Sequence, residues 1–132
     1  MQKRINIASG AIWEEKVGYS RAVRVGNQIE VSGTTSVDGD TLVGKGDLYQ
    51  QTIFILQKIE RTLQQAEASL HDVVRTRMYV TDISQWEKAG KAHAEFFGNI
   101  KPATTMVEVS KLIHPDLLIE IEVTAIINKN HI

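Results

Sequence analysis

The chain has no cysteine among its 132 residues. That excludes disulfides, thiolate metal sites, iron–sulfur clusters and a cysteine nucleophile. Neither charge is in surplus: 15 Lys+Arg stand against 16 Asp+Glu, for a formal net charge of −1. A chain built mainly to hold nucleic acid carries a basic excess, so a nucleic-acid partner is not expected. Aromatic residues make up 6%, too few for a base-stacking surface. Apolar runs are only a few residues long, so nothing in the sequence spans a bilayer. No apolar stretch of secretory length follows Lys3-Arg4. A soluble, cytoplasmic protein is the expectation. Gly44-Lys45-Gly46 lacks the spacing of a P-loop or dinucleotide fingerprint. His71, His93, His114 and His131 show no metal-ligand spacing, so neither metal nor cofactor is expected, and His93 reads as a partly buried packing residue. Ser32-Gly33-Thr34 is no nucleophile elbow, because no helix follows it directly.

What is present reads as one domain from residue 1 to 132, without linker or repeat. Hydrophobic residues at 42% and charged residues at 23% are ordinary globular values. Residues 10–20 are polar and punctuated by glycine, and are expected to form a loop after a short first strand. Ala22–Val25 and Gln28–Ser36 are β-like runs separated by Gly26-Asn27, a two-residue hairpin signal. Asp38-Gly39 marks another reversal before a short strand at 41–43. From Asp47, an N-cap candidate, to about Ala68, the residues Leu48, Ile55, Leu56, Ile59, Leu63 and Ala66 make an apolar stripe at helical spacing.

Val73–Val80 has the β-branched content of a strand. A second helix is expected from Ser84, as N-cap, to Gly98, as the C′ residue, with Trp86, Ala89, Gly90, His93, Phe96 and Phe97 inward. Residues 104–109 and 117–127 close the chain as strands. The order implies an α+β fold, a mixed sheet with two helices on one face.

Strand parity then sorts the sheet faces. Ile119, Ile121, Val123, Ala125 and Ile127 share one face, which must pack on the helices, and Glu120, Glu122 and Thr124 share the other. The same test sets Val74, Thr76, Met78 and Val80 against Arg75, Arg77 and Tyr79, and Val107 and Val109 against Thr104, Met106 and Glu108. One face is therefore expected to collect Arg75, Arg77, Glu108, Glu120 and Glu122. Read plainly, that is a solvated surface with cross-strand ion pairs. Tyr79 and Met106 argue instead that another subunit covers it, leaving a polar pocket in which a carboxylate could act as general acid and base.

Several segments, in this order, carry a resemblance: Gly18-Tyr19-Ser20-Arg21-Ala22-Val23 with Gly26, Val31-Ser32-Gly33, Leu70-His71-Asp72-Val73-Val74-Arg75-Thr76, Val80-Thr81-Asp82, Ala94-Glu95-Phe96-Phe97-Gly98, Pro102-Ala103, Val107-Glu108-Val109 and Ile119-Glu120-Ile121-Glu122. The chain resembles the Rid (reactive intermediate deaminase), or YjgF, family over essentially its whole length. The resemblance implies a chorismate-mutase-like fold, a homotrimer and a small-molecule cleft between subunits. It also implies cofactor-free hydrolysis of enamines and imines to oxo compounds and ammonia.

Carried over by position, Glu120 would be the water-handling catalytic residue. Tyr19, Ser32, Gly33 and Thr34 would line the cleft. The arginine that clamps a substrate carboxylate is absent, since Pro-Ala-Arg-Ser appears here as Pro102-Ala103-Thr104-Thr105. Met106 replaces a frequent cysteine, and a helix asparagine falls at Gly90. A threonine hydroxyl cannot supply the charge of a guanidinium. Arg77, placed by parity beside Thr104 and Glu120, is the candidate replacement, with simple pairing to Glu108, Glu120 or Glu122 as the alternative. A non-catalytic metabolite-binding or sensing trimer is the second functional reading, and an endoribonuclease or translation inhibitor the third.

Overall fold

The computed structural model describes residues 3–128, so His131 lies outside the described residues. The chain runs through β1 (Arg4–Ile7), α1 (Ile12–Val17), β2 (Ala22–Val25), β3 (Gln28–Thr34), β4 (Val37–Asp38), β5 (Thr41–Leu42), α2 (Leu48–Gln65), β6 (Val73–Val80), α3 (Trp86–Phe97), β7 (Ala103–Glu108) and β8 (Ile119–Ile126). Six strands form one sheet in the order β1-β2-β3-β8-β6-β7, and β4-β5 is a separate small ribbon. Only β6 and β7 run parallel, joined by the α3 crossover; every other pair is antiparallel. The α+β mixed sheet with two helices on one face is what the sequence pattern implied.

The hairpin turns where expected, with Gly26 at φ 60° as the first turn residue, the conformation that favours glycine in primed turns. Helix α2 begins on Asp47, whose carboxylate accepts from the Gln50 amide at 3.0 Å. Its far end is closed from outside: Arg24 Nη1 donates to the Ala66 carbonyl at 2.6 Å, and Arg24 Nε to Gly26 O at 2.8 Å. The stripe of α2 packs on the sheet face that carries Ile119 and Ile121, so that Ile55, Leu56, Ile59, Leu63, Ile119 and Ile121 are all fully buried. Each such side chain contributes about 1.5–3 kcal/mol by leaving water. Between α2 and the loop before β8 sits Gln51, 0% exposed. Its amide donates to Gly44 O (3.2 Å) and Asp116 O (2.9 Å), and its oxygen accepts from the Leu118 amide (2.9 Å). One side chain thus satisfies three backbone groups of two separate loops.

Five expectations are corrected. The loop at 10–20 contains the helix α1, which ends on Gly18 at φ 87° with its N–H bonded to Glu14 O; the hydrophilic run hid a helix of only six residues. The second helix does not start from Ser84. Asp82 caps a 3-10 turn over Ile83–Gln85, and α3 follows at Trp86. Gly98 keeps a right-handed φ of −56°, and the left-handed residue after the helix is Lys101 at φ 57°. Trp86, expected inward, is 55% exposed, because it stands in the first turn of α3 ahead of the part that meets the core.

The fifth correction moves side chains between faces. A bulge between Val73 and Arg75 puts Val73 in the core and leaves Val74 exposed. In the parallel register Thr76 faces Thr104, Met78 faces Met106 and Val80 faces Glu108. Thr104, Met106 and Glu108 therefore lie on the helix side, not with Glu120, and Thr105 and Val107 share the open side with Arg77 and Tyr79. At a sheet edge, alternation of side-chain polarity follows burial weakly, since neither face of β7 is fully covered. Glu108 uses its place to accept from the Ile83 amide at 3.0 Å, and Met106 packs against the core.

Replacing Gln51 by leucine keeps the volume but leaves buried backbone groups without partners. Gln51→Leu is expected to destabilise the fold by about 1–3 kcal/mol, measured as a lowered urea midpoint with an unchanged slope.

Candidate functional site

On the face opposite α2 and α3, the side chains of β3, β8 and β6 divide into two groups. The first is a bonded set. Tyr79 OH donates to Glu122 Oε1 at 2.7 Å, and Arg77 Nε approaches the same oxygen at 3.9 Å. Arg77 Nη1 also reaches Thr124 Oγ1 at 3.4 Å, and that hydroxyl donates to Glu30 Oε1 at 2.7 Å. The bond to Glu122 is the main reason the Tyr79 phenol is pushed up from its ordinary value of 10.0. Arg77 is therefore engaged with Glu122 and Thr124. It shares the sheet face of Glu120 but not that of Thr104.

The second group gathers around Glu120. Gly33 lies directly beneath its carboxylate: a β-carbon built there would stand 2.0 Å from Oε2 and 3.0 Å from Cδ of Glu120. No residue with a side chain fits at 33 while Glu120 keeps this position. The Gly33 carbonyl accepts from Arg21 Nη2 at 2.6 Å. Arg21 is 8% exposed, its guanidinium carbon lies 5.8 Å from the centre of the Tyr19 ring, and its Nε has no hydrogen-bond partner among the described residues. Burial pushes the Glu120 carboxyl above its ordinary value of 4.5; the positive charge of Arg21 opposes that rise, and Glu122 adds to it. The cation that acts on Glu120 is thus Arg21. It stood in the sequence within Gly18-Tyr19-Ser20-Arg21, but a lone arginine at a strand end signals nothing until the β3 bulge between Val31 and Thr34 brings Gly33 to it.

Beside this group, a groove of about 700 Å³ runs between α1 and the open face of β1–β3, lined among others by Asn6, Glu14, Tyr19, Ser20 and Ser32. A second hollow of about 370 Å³ continues from Val23 and Ser32 to Glu30, Arg77 and Glu122. Glu14 is almost fully buried and anchors the groove wall, accepting from the Ser9 amide at 3.1 Å and from the Ser9 hydroxyl. Ser32 Oγ donates to Ser20 O at 2.6 Å. Glu120 lies outside the lining of both hollows, over Gly33 next to Ser32.

The structure brings Tyr19, Ser32, Gly33 and Glu120 together, with Arg21 added. Of the other four, Arg77 is held at Glu122 and Thr124, and three stand elsewhere. Thr34 is buried opposite Ile121 and donates to Ser32 O. Thr104 and Met106 lie on β7, with two strands between it and β3, and on the other face. Thr104 bonds Thr76 Oγ1 at 2.7 Å and donates to Pro102 O at 3.1 Å, while Thr76 also bonds His93 Nε2 at 2.9 Å. If Thr104 gives its proton to Pro102, Thr76 gives its own to Thr104 and His93 must donate. His93 packs on Phe97 at 4.7 Å between ring centres, and burial pushes its pKa below 6.5. Among the described residues no three His, Asp or Glu side chains gather as a metal site would need, and no helix is long and apolar enough to cross a membrane.

The chain matches the model of the family described as Endoribonuclease L-PSP over residues 12–127. It belongs to that family, the YjgF or Rid family. A RutC family protein of Pyrococcus abyssi is 42% identical over 108 residues, covering 81% of this chain and 84% of its own. The 3-aminoacrylate deaminase RutC of Acinetobacter baylyi is 34% identical, covering 78% and 82%. A solved Mycobacterium tuberculosis structure, a member of the YjgF/YER057c/UK114 family, superposes with a TM-score of 0.87 at 50% identity, over 95% of this chain and all of the other. The resemblance read from the sequence and the fold it implied agree with these matches.

The raised Glu120 pKa has a consequence for stability in this family member. Its carboxyl is neutral in both folded and unfolded states at low pH, so its ionisation penalty is absent there. As pH rises through the raised folded value, the folded state loses stability that the unfolded state does not. Glu120→Gln is therefore expected to raise Tm at pH 8, with the gap closing toward pH 4.5 and below. Thermal melts across that range check it.

Gly33→Ala needs no unusual φ and collides chiefly with the far end of a flexible side chain. It is expected to leave Tm nearly unchanged while displacing the Glu120 carboxylate, which a crystal structure of the variant would show.

Proposed function

We propose that this Rid-family protein hydrolyses small enamines or imines to oxo compounds and ammonia, in a cleft completed between the subunits of a homotrimer. The observation that carries the reading is the half-buried Glu120 carboxyl, raised in pKa and held over Gly33. A carboxyl tuned upward can take and return a proton near neutral pH. In the proposed reaction, water adds to the C=N carbon while Glu120 takes one of its protons and passes it to nitrogen, giving a carbinolamine. Glu120 then moves the hydroxyl proton to the same nitrogen, the C–N bond breaks, and the oxo compound and ammonia leave. An enamine enters as its imine, formed by gain of a proton at carbon and loss of one from nitrogen. The deaminase name of the Acinetobacter relative supports this substrate class.

Tyr19, Ser32 and Gly33 line the proposed site. Thr104 and Met106 stand on the edge strand β7, away from Glu120 within one subunit, so a cleft that included them would need a second subunit to complete it. Arg77, held at Glu122, borders the same face. The threonine at 104 favours a second reading, a trimer that binds a metabolite without turning it over, since no guanidinium is present there to hold a carboxylate.

Ammonia release from freshly generated 2-imino acids separates the two. Turnover that falls about 10²–10⁴-fold in Glu120→Ala supports hydrolysis. Ligand-dependent rises in Tm without turnover support the binding reading and overturn the first.

A further inference from the structure

Among the described residues Arg21 is the buried cation beside Glu120, and the reason for burying it is not visible in the fold. Its Nη2 bond goes to a single carbonyl, that of Gly33, and its Nε is left without a partner. Burying a guanidinium on so few bonds is costly unless its charge has a use. The Gly33 peptide that it holds is the surface on which the Glu120 carboxylate rests, so the cation and the carboxylate meet the same residue from two elements. We infer that Arg21 is a positioning residue for Glu120: it pins the Gly33 peptide under the carboxylate and supplies the positive charge that keeps the carboxylate available as a base.

The charges around the pair are few. Glu122 stands two residues along β8 on the same face and works against ionisation of Glu120, as the burial does. Tyr79 faces Glu120 across the β6–β8 register but gives its proton to Glu122, and Arg77 is likewise turned to Glu122. From α2, Lys58 donates to Val37 O at 2.9 Å, and its own pKa is pushed down by burial and by the charge of Arg21. β3 offers only Ser32, Gly33 and Thr34 here. Arg21 is therefore the positive charge that opposes the effect of burial on Glu120. The tyrosine ring against its guanidinium, at 5.8 Å, lies where cation–π attraction helps to hold it.

This role rests on the hydrolase reading for its catalytic meaning but not for its test. The Glu120 carboxyl is titrated by carbon NMR, identified by its loss in Glu120→Gln, in wild type, Arg21→Gln and Arg21→Lys. Glutamine can still donate to Gly33 O and removes only the charge, while lysine keeps the charge. The expected result is an upward shift of the Glu120 midpoint in Arg21→Gln and a return toward wild type in Arg21→Lys. The acid limb of ammonia release should move in the same direction. An unchanged midpoint in Arg21→Gln overturns the inference. Should that variant fail to fold, Arg21→Met takes its place, with the same upward shift expected and an unchanged midpoint overturning the inference. If wild type releases no ammonia, the hydrolase reading fails while the titration still decides the role of Arg21.

Discussion

The contact between Gly33 and Glu120 constrains everything else at the site. A carboxylate can lie against backbone only where no β-carbon intervenes, and it can do so half-buried only if positive charge is near. The first condition fixes glycine at 33, and the second gives a purpose to a buried arginine at 21. Register follows too: the bulge between Val31 and Thr34 is what lets β3 present a bare Cα to β8 without turning Thr34 out of the core. The site sits at an irregularity in the β3–β8 ladder. Irregularities of this kind in strands commonly re-aim side chains at functional positions.

The remainder of the open face is stable without being reactive. Tyr79, Arg77, Thr124 and Glu30 share out the lone pairs and protons of Glu122 and of one another. Exposed pairs of this sort are worth about 1 kcal/mol or less each, so their value lies in orientation. Two glutamates two residues apart on β8 thus have opposite surroundings. Glu122 has one oxygen engaged by Tyr79 and Arg77, whereas Glu120 is half-buried over the Gly33 backbone beside the Arg21 charge. Environment, not residue type, separates the two carboxylates.

Much of this was legible from the residues, and the exceptions have physical causes. The α2 stripe, the hairpin at Gly26-Asn27, the span of β6 and the parity of β8 could all be read, because each lies where one face is buried and the pattern is enforced. On β7 the pattern misled: the strand is an edge, its alternation is not enforced by burial, and Thr104, Met106 and Glu108 point the opposite way. Val74 was lost to a bulge, which no periodicity reports. Glu120, Gly33, Ser32 and Tyr19 could be named through family likeness and do meet in space. Arg21 could not be assigned a role, since its partner is a backbone carbonyl, and carbonyls have no letter in the sequence.

The strand order has a consequence for how the molecule comes into being. The last strand, β8, lies in the middle of the sheet between β3 and β6, so both halves of the ladder wait for residues 119–126. Until they arrive, β1–β3 and β6–β7 are separate ribbons with an open edge each, and neither has a full apolar face to offer α2. Pairings this distant along the chain are slow to close. On the ribosome, the core and the surroundings of Glu120 are therefore completed only once residues 119–126 have emerged.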